Sequence, residues 1–133
     1  MLSELGKREC NPNVASWAEG QDSSDLWITS TTISELNLGV ARMPEGKRRD
    51  TVGDVNARFI AAFYDRTFSF DGHAAGVYGR LVADRMSGGR PISREDAQIA
   101  ASCIATGATL ATHNTRDFDG IPELELIDPW EKG

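Results

Sequence analysis

The chain has 133 residues, 40% of them hydrophobic, and 14 basic against 20 acidic side chains give a net charge of −6. That length suits one domain, residues 1–133, able to bury a core without disulfides or structural metals. No apolar run approaches the roughly 18–20 residues of a membrane span, no charged start followed by an apolar stretch marks a signal peptide, and the acidic balance excludes a broad basic face for sequence-independent nucleic-acid binding. The chain therefore reads as soluble and cytoplasmic, with no membrane partner. An enzyme acting on nucleic acid through metal ions stays compatible, because cations supply positive charge where phosphate sits.

MLSELGKREC opens the chain as a short amphipathic helix with no strand before it. NPNVASWAEGQ reads as a second helix, with Asn11 as N-cap, Pro12 at the first helical position, and Val14, Trp17 and Ala18 on one face. DLWITS has the composition of a buried strand. TTISELNLGVARM places Ile33, Leu36, Val40 and Met43 at helical spacing. PEGKRRD reads as a turn with a basic cluster, followed by a helix whose apolar stripe is Val52, Val55, Phe59, Ile60 and Phe63. RTFSF is a candidate strand. DGHAAGVYGRLVADRMSG is a long helix with Asp71 as N-cap and Gly88-Gly89 as its stop, and GGRP is a loop. ISREDAQIAASCIATGA is an Ala-rich helix ending at Gly107. ATLAT is a strand, HNTRDFDG a polar loop, and LELID a final strand. Strands alternating with helices predict an α/β fold, a mostly parallel sheet covered by helices.

Ligands of open parallel sheets bind beyond the carboxyl ends of the strands. The acids there are Glu35 on the first turn after DLWITS, Asp96 in the first turn of the Ala-rich helix, and Asp117 and Asp119 in the loop after ATLAT. No His or Cys joins them in a nucleophilic arrangement, and all-carboxylate sets favour hard cations such as Mg²⁺ or Mn²⁺. Plainer readings stand beside this one. Thr32-Ile33-Ser34-Glu35 and Ser93-Arg94-Glu95-Asp96 match capping boxes. Asp117 and Asp119 suit an ordinary turn, and Arg116 suits a salt bridge that pins it. Lys47, Arg48 and Arg49 suit a solvated face, the three tryptophans suit the core, and His73 an exposed position; His113 lies nearer the acids. Cys10 and Cys103 show no metal or disulfide spacing, and Cys103 reads as a buried thiol.

Taken in order, ITSTTISELNLGVARMPEGKRRD, ISREDAQIAASCIATGATLATHNTRDFDG and IDPW resemble the PIN-domain toxins of bacterial toxin–antitoxin pairs, VapC and FitB-like proteins in particular. The resemblance runs from about residue 2 to residue 130. It implies a PIN-like fold, a small parallel sheet between helices, and a Mg²⁺- or Mn²⁺-dependent ribonuclease acting on RNA. It places Glu35, Asp96 and Asp117 at the family's second, third and fourth metal-binding acids, and Thr112 and Asn114 at polar positions that orient them or a water. It also implies a basic antitoxin as partner and a homodimer, for which the apolar faces around Phe59, Phe63 and Tyr78 are candidates. Structure-specific DNA cleavage on the same fold is a weaker expectation, since no DNA-clamping insertion is evident.

The departure is at the start. The family opens on an apolar strand ending in D-T-N-x-x-S-E-L, whose Asp is the first metal ligand, and MLSEL aligns with the end of that stretch. Ser3 and Glu4 mark the register, and the central first strand, its Asp and its Asn are expected upstream of Met1, with a gap in the ladder where that strand belongs. A start assigned too late and a degenerate gene both fit, and the intact motif set favours the first. A catalytically impaired domain that only binds an antitoxin or a second copy is the alternative function.

Overall fold

The computed structural model describes residues 26–128. The readings placed on MLSELGKREC with Ser3 and Glu4, on the helix at Asn11, on Cys10, Trp17 and Trp130 lie outside those residues. The described elements run β1 (Ile28–Thr29), α1 (Ser30–Ala41), α2 (Lys47–Ala62), β2 (Thr67–Phe68), α3 (Gly72–Ser87), α4 (Arg94–Thr106), β3 (Leu110–Ala111), α5 (Thr115–Phe118) and β4 (Leu126–Ile127). Strands alternate with helices, as the α/β reading expected.

The strands pair in parallel. Ile28 lies opposite Thr67 and Thr29 opposite Phe68, while Leu110 lies opposite Leu126 and Ala111 opposite Ile127. Among the described residues the ladder stands as two two-stranded pieces, β1 with β2 and β3 with β4. Ile28, Thr29, Leu110 and Ala111 are all buried, so these short strands form the middle of the molecule. Parallel pairs buried on both sides read as apolar runs rather than alternations, which is why LWIT and ATLA carry so little polar patterning.

The helix ends follow local chemistry. Asp71 caps α3 by accepting from the Ala74 N–H at 2.9 Å, and Ser93 caps α4 by accepting from the Asp96 N–H at 3.1 Å. Gly107 ends α4 with φ of 71°, the left-handed conformation that glycine adopts without a Cβ penalty. Two boundaries differ from expectation. The cap of α1 is Thr29, not Thr32, and its hydroxyl accepts from the Thr32 N–H at 3.1 Å. Glu35 therefore stands in the second turn, and the Thr32–Glu35 capping box does not form at this helix start. The basic cluster is also not a turn: Lys47, Arg48 and Arg49 open α2. Cations at a helix N-terminus oppose its dipole, which Asp50 in the same first turn offsets. HNTRDFDG, expected as a loop, contains the single turn α5.

The main core joins Leu81 of α3, Ala97, Ala100 and Cys103 of α4, Leu110 of β3, and Phe118, Ile121 and Leu124 of the final segment. A smaller cluster joins Leu26, Ile28, Phe63 and Ala111. Burial pushes the Cys103 thiol up to about 12, as a desolvated group that resists ionisation. Trp27 stacks on Phe68 with ring centroids 4.6 Å apart, in keeping with a core role. Phe63 packs inward in the smaller cluster, so it forms no part of a dimer face. The exposed large apolar side chain on α2 is Val55, and that on α1 is Leu38.

Candidate functional site

Beyond the end of β3, a polar cleft of about 470 Å³ lies between the start of α4 and α5. One wall is the segment from Arg90 to Ser93 with the first turn of α4. The other is α5, which brings Arg116 and Asp117. Arg85 reaches the same cleft from the end of α3. The Ser93 cap fixes the backbone at Asp96, which is half-buried, while Asp117 is exposed on the one-turn helix.

Thr112 carries the second wall. It is 1% exposed, its N–H donates to the Ile127 carbonyl at 3.0 Å, and its hydroxyl accepts from the Asn114 N–H at 3.1 Å. The turn from β3 into α5 is thus built on a buried hydroxyl, a side-chain bond of the kind that replaces ladder pairing at strand ends. Asn114 is the residue before α5 and makes no side-chain cap bond. The Asp117 N–H donates to the Asn114 carbonyl at 3.1 Å, which closes the turn.

The structure brings Asp96 and Asp117 into one cleft. Glu35 is exposed on α1 and does not line it. It lies one helical turn beyond Thr31, whose hydroxyl donates to Gln98 of α4 at 3.1 Å, so it shares the α1 side that meets α4. Among the described residues no group of three His, Cys, Asp or Glu side chains stands ready to hold a metal ion. Two carboxylates on an open polar wall still fit Mg²⁺ or Mn²⁺, since Mg²⁺ accepts one or two carboxylates and keeps water in its other positions. His113 is exposed beside Asn114 and does not line the cleft.

Sequence reasoning missed the arginines. Arg85 is only 9% exposed; its Nη1 donates to the Asp119 carbonyl at 2.6 Å and its Nη2 to the Asp117 carbonyl at 3.0 Å. The sequence offers Arg116 as one possible pin for this loop; Arg85 holds it through the Asp117 and Asp119 carbonyls. A signal was present: Ala74, Val77, Leu81 and Arg85 form one buried face of α3, so a cation occupies a core position. Arg90 was read as part of a bare loop. Its Nη1 lies 2.7 Å from where a Cβ on Gly120 would stand, and Gly120 has φ of 81°. The left-handed turn is what favours glycine there, and the guanidinium uses the space beside it.

No protein-family model matches the chain. It is 35% identical over 132 residues to the plasmid stability protein StbB of Pseudomonas syringae pv. tomato, and 34% identical over 132 residues to the VapC ribonuclease Y4jK of Sinorhizobium fredii. Both matches span 98% of this chain and 94% of the relative, which leaves only a short part of each without a counterpart here. The fold superimposes on a FitAB complex bound to an IR36 DNA fragment with a TM-score of 0.86 at 24% identity, covering 100% of this chain and 98% of that one. FitAcB from Neisseria gonorrhoeae gives 0.85 at 25% identity, covering 99% and 100%. The chain belongs to the VapC and FitB-like family and carries its PIN-type α/β fold. Among the described residues no helix is long and apolar enough to cross a membrane.

Proposed function

We propose that this chain is the toxin of a type II toxin–antitoxin pair, an endoribonuclease that hydrolyses RNA phosphodiesters with Mg²⁺ or Mn²⁺. The observation that carries the reading is the meeting of Asp96 and Asp117 in one cleft, in a chain that matches a VapC ribonuclease over nearly its full length. Asp96 and Asp117 hold the cation, with Glu35 as a third carboxylate approaching from α1. When bound, the ion supplies positive charge against the phosphoryl oxygens and acidifies water. The chain's own residues do the placing: Ser93 fixes the turn that presents Asp96, and Thr112 and Asn114 fix the turn that presents Asp117. Arg90 and Arg116 line the cleft with positive charge that suits the RNA backbone.

The test is cleavage of single-stranded RNA with and without Mg²⁺ or Mn²⁺. Cleavage that needs the metal and is lost in Asp96→Asn and Asp117→Asn supports the reading. Metal-independent cleavage, or full activity in Asp96→Asn, removes it. Glu35→Gln reports separately on the third carboxylate, and activity equal to wild type takes Glu35 out of the site.

The absence of a ready three-carboxylate group among the described residues favours a second reading, a domain that binds an antitoxin or a like subunit without catalysis. Solved neighbours include FitAB and VapBC complexes, and an acidic chain suits a partner with a basic segment. Tight binding of such a partner by a chain that never cleaves RNA under any metal condition selects this reading.

A further inference from the structure

We propose that Arg85 is a positioning residue: its guanidinium holds the main chain of the loop at 117–119 so that the Asp117 carboxylate faces Asp96 across the cleft. The proposal deepens the two-carboxylate metal reading above and rests on it for its functional consequence. Arg85 is nine-tenths buried, and its two terminal nitrogens donate to two carbonyls of one loop, those of Asp117 and Asp119. Among the described residues its buried Nε has no hydrogen-bond partner. A buried guanidinium with an unmet donor is costly, and a leucine or methionine at this position of α3 would continue the Val77–Leu81 face at lower cost. Packing alone therefore gives no reason for arginine here. The two carbonyl bonds do, because a planar fork fixes two acceptors in direction as well as distance.

The neighbours fit the same role. Arg85 lines both the polar cleft and a smaller cavity of about 110 Å³ that Val77, Leu81 and Ile121 also line. Arg85 acts through the loop's main chain, by its bonds to the Asp117 and Asp119 carbonyls.

The experiment measures Mn²⁺ affinity by electron paramagnetic resonance in wild type, Arg85→Lys, Asp117→Asn and the double variant of the full chain. Lysine keeps the charge and loses the fork. Groups that orient a metal ligand typically change affinity about 10–100-fold, so Arg85→Lys is expected to weaken Mn²⁺ binding about tenfold in the wild-type background and hardly at all beside Asp117→Asn. An equal loss in both backgrounds, or an affinity within twofold of wild type, overturns the proposal. Two readouts stand apart from metal. In ¹⁵N-labelled wild type the Arg85 Nη protons should be separately resolved and slow to exchange, and in Arg85→Lys the amides of residues 117–121 should lose protection. A single averaged guanidinium signal, or unchanged protection, refutes the positioning even if no Mn²⁺ binds. A wild type that binds no Mn²⁺ but passes both readouts refutes the metal reading and leaves Arg85 holding the loop.

Discussion

Replacing Thr29 by valine tests whether burial decides the worth of a helix cap. Thr29 is 0% exposed and Thr32 is 5% exposed. The Thr29 hydroxyl accepts from the Thr32 N–H at 3.1 Å and lies 3.0 Å from the Thr32 hydroxyl. Valine keeps the shape and removes the oxygen. The lost cap costs about 1 kcal/mol, and a buried N–H left without its partner adds about 1–2 kcal/mol because water cannot reach it. The sum, about 2–3 kcal/mol, corresponds to a fall in Tm of roughly 6–12 °C for a chain of this size. Ser93→Ala removes the same kind of bond at an exposed cap, where water takes over the Asp96 N–H, and should cost only about 0.5–1 kcal/mol. Urea titration of both variants beside wild type reads the difference directly. Equal costs, or a Thr29→Val loss under 1 kcal/mol, would refute the argument from burial.

Cys103 gives a pH prediction. Its thiol ionises near 12 when folded and near 9.0 when unfolded, so between those values the unfolded chain binds fewer protons. Stability should fall as pH rises through that window, and Cys103→Ala should flatten that part of the Tm profile. Gly120→Ala forces a side chain into the left-handed region and against Arg90, and should destabilise by about 1–2 kcal/mol in thermal melts. Leu110→Ala empties a fully buried position between β4 and the main core, and a loss of about 2–5 kcal/mol is expected by denaturant titration.

What was legible in the sequence was local. Asp71, Ser93 and Gly107 announce their helix ends because each satisfies orphan backbone groups through its own side chain or conformation. Thr29 was hidden among Thr29, Ser30, Thr31 and Thr32, four residues of nearly equal capping chemistry. The choice falls to the β1–β2 pairing, which holds Thr29 extended opposite Phe68. The start of α2 was hidden because three cations argue locally against a helix start there. Asp117 was legible through its place after a predicted strand, and Asp96 through the first turn of its helix and the ordered motifs; Glu35, grouped with them, does not line the cleft. Arg85 was not, since its role depends on a loop 32 residues away in sequence. Its only local mark is a charge on an otherwise apolar helix face.

The two cleft carboxylates stand on supports of unequal stiffness. Asp96 rises from a 13-residue helix whose buried side, Ala97, Ala100, Ala101 and Cys103, is made of small side chains at zero exposure, leaving no slack for that helix to shift. Asp117 rides on only four residues of helix, anchored in the core by Phe118 and tethered by Thr112 and Arg85. On the proposed metal reading, the long helix under Asp96 sets the reference, and fitting cations of different ionic radius falls to the short support under Asp117.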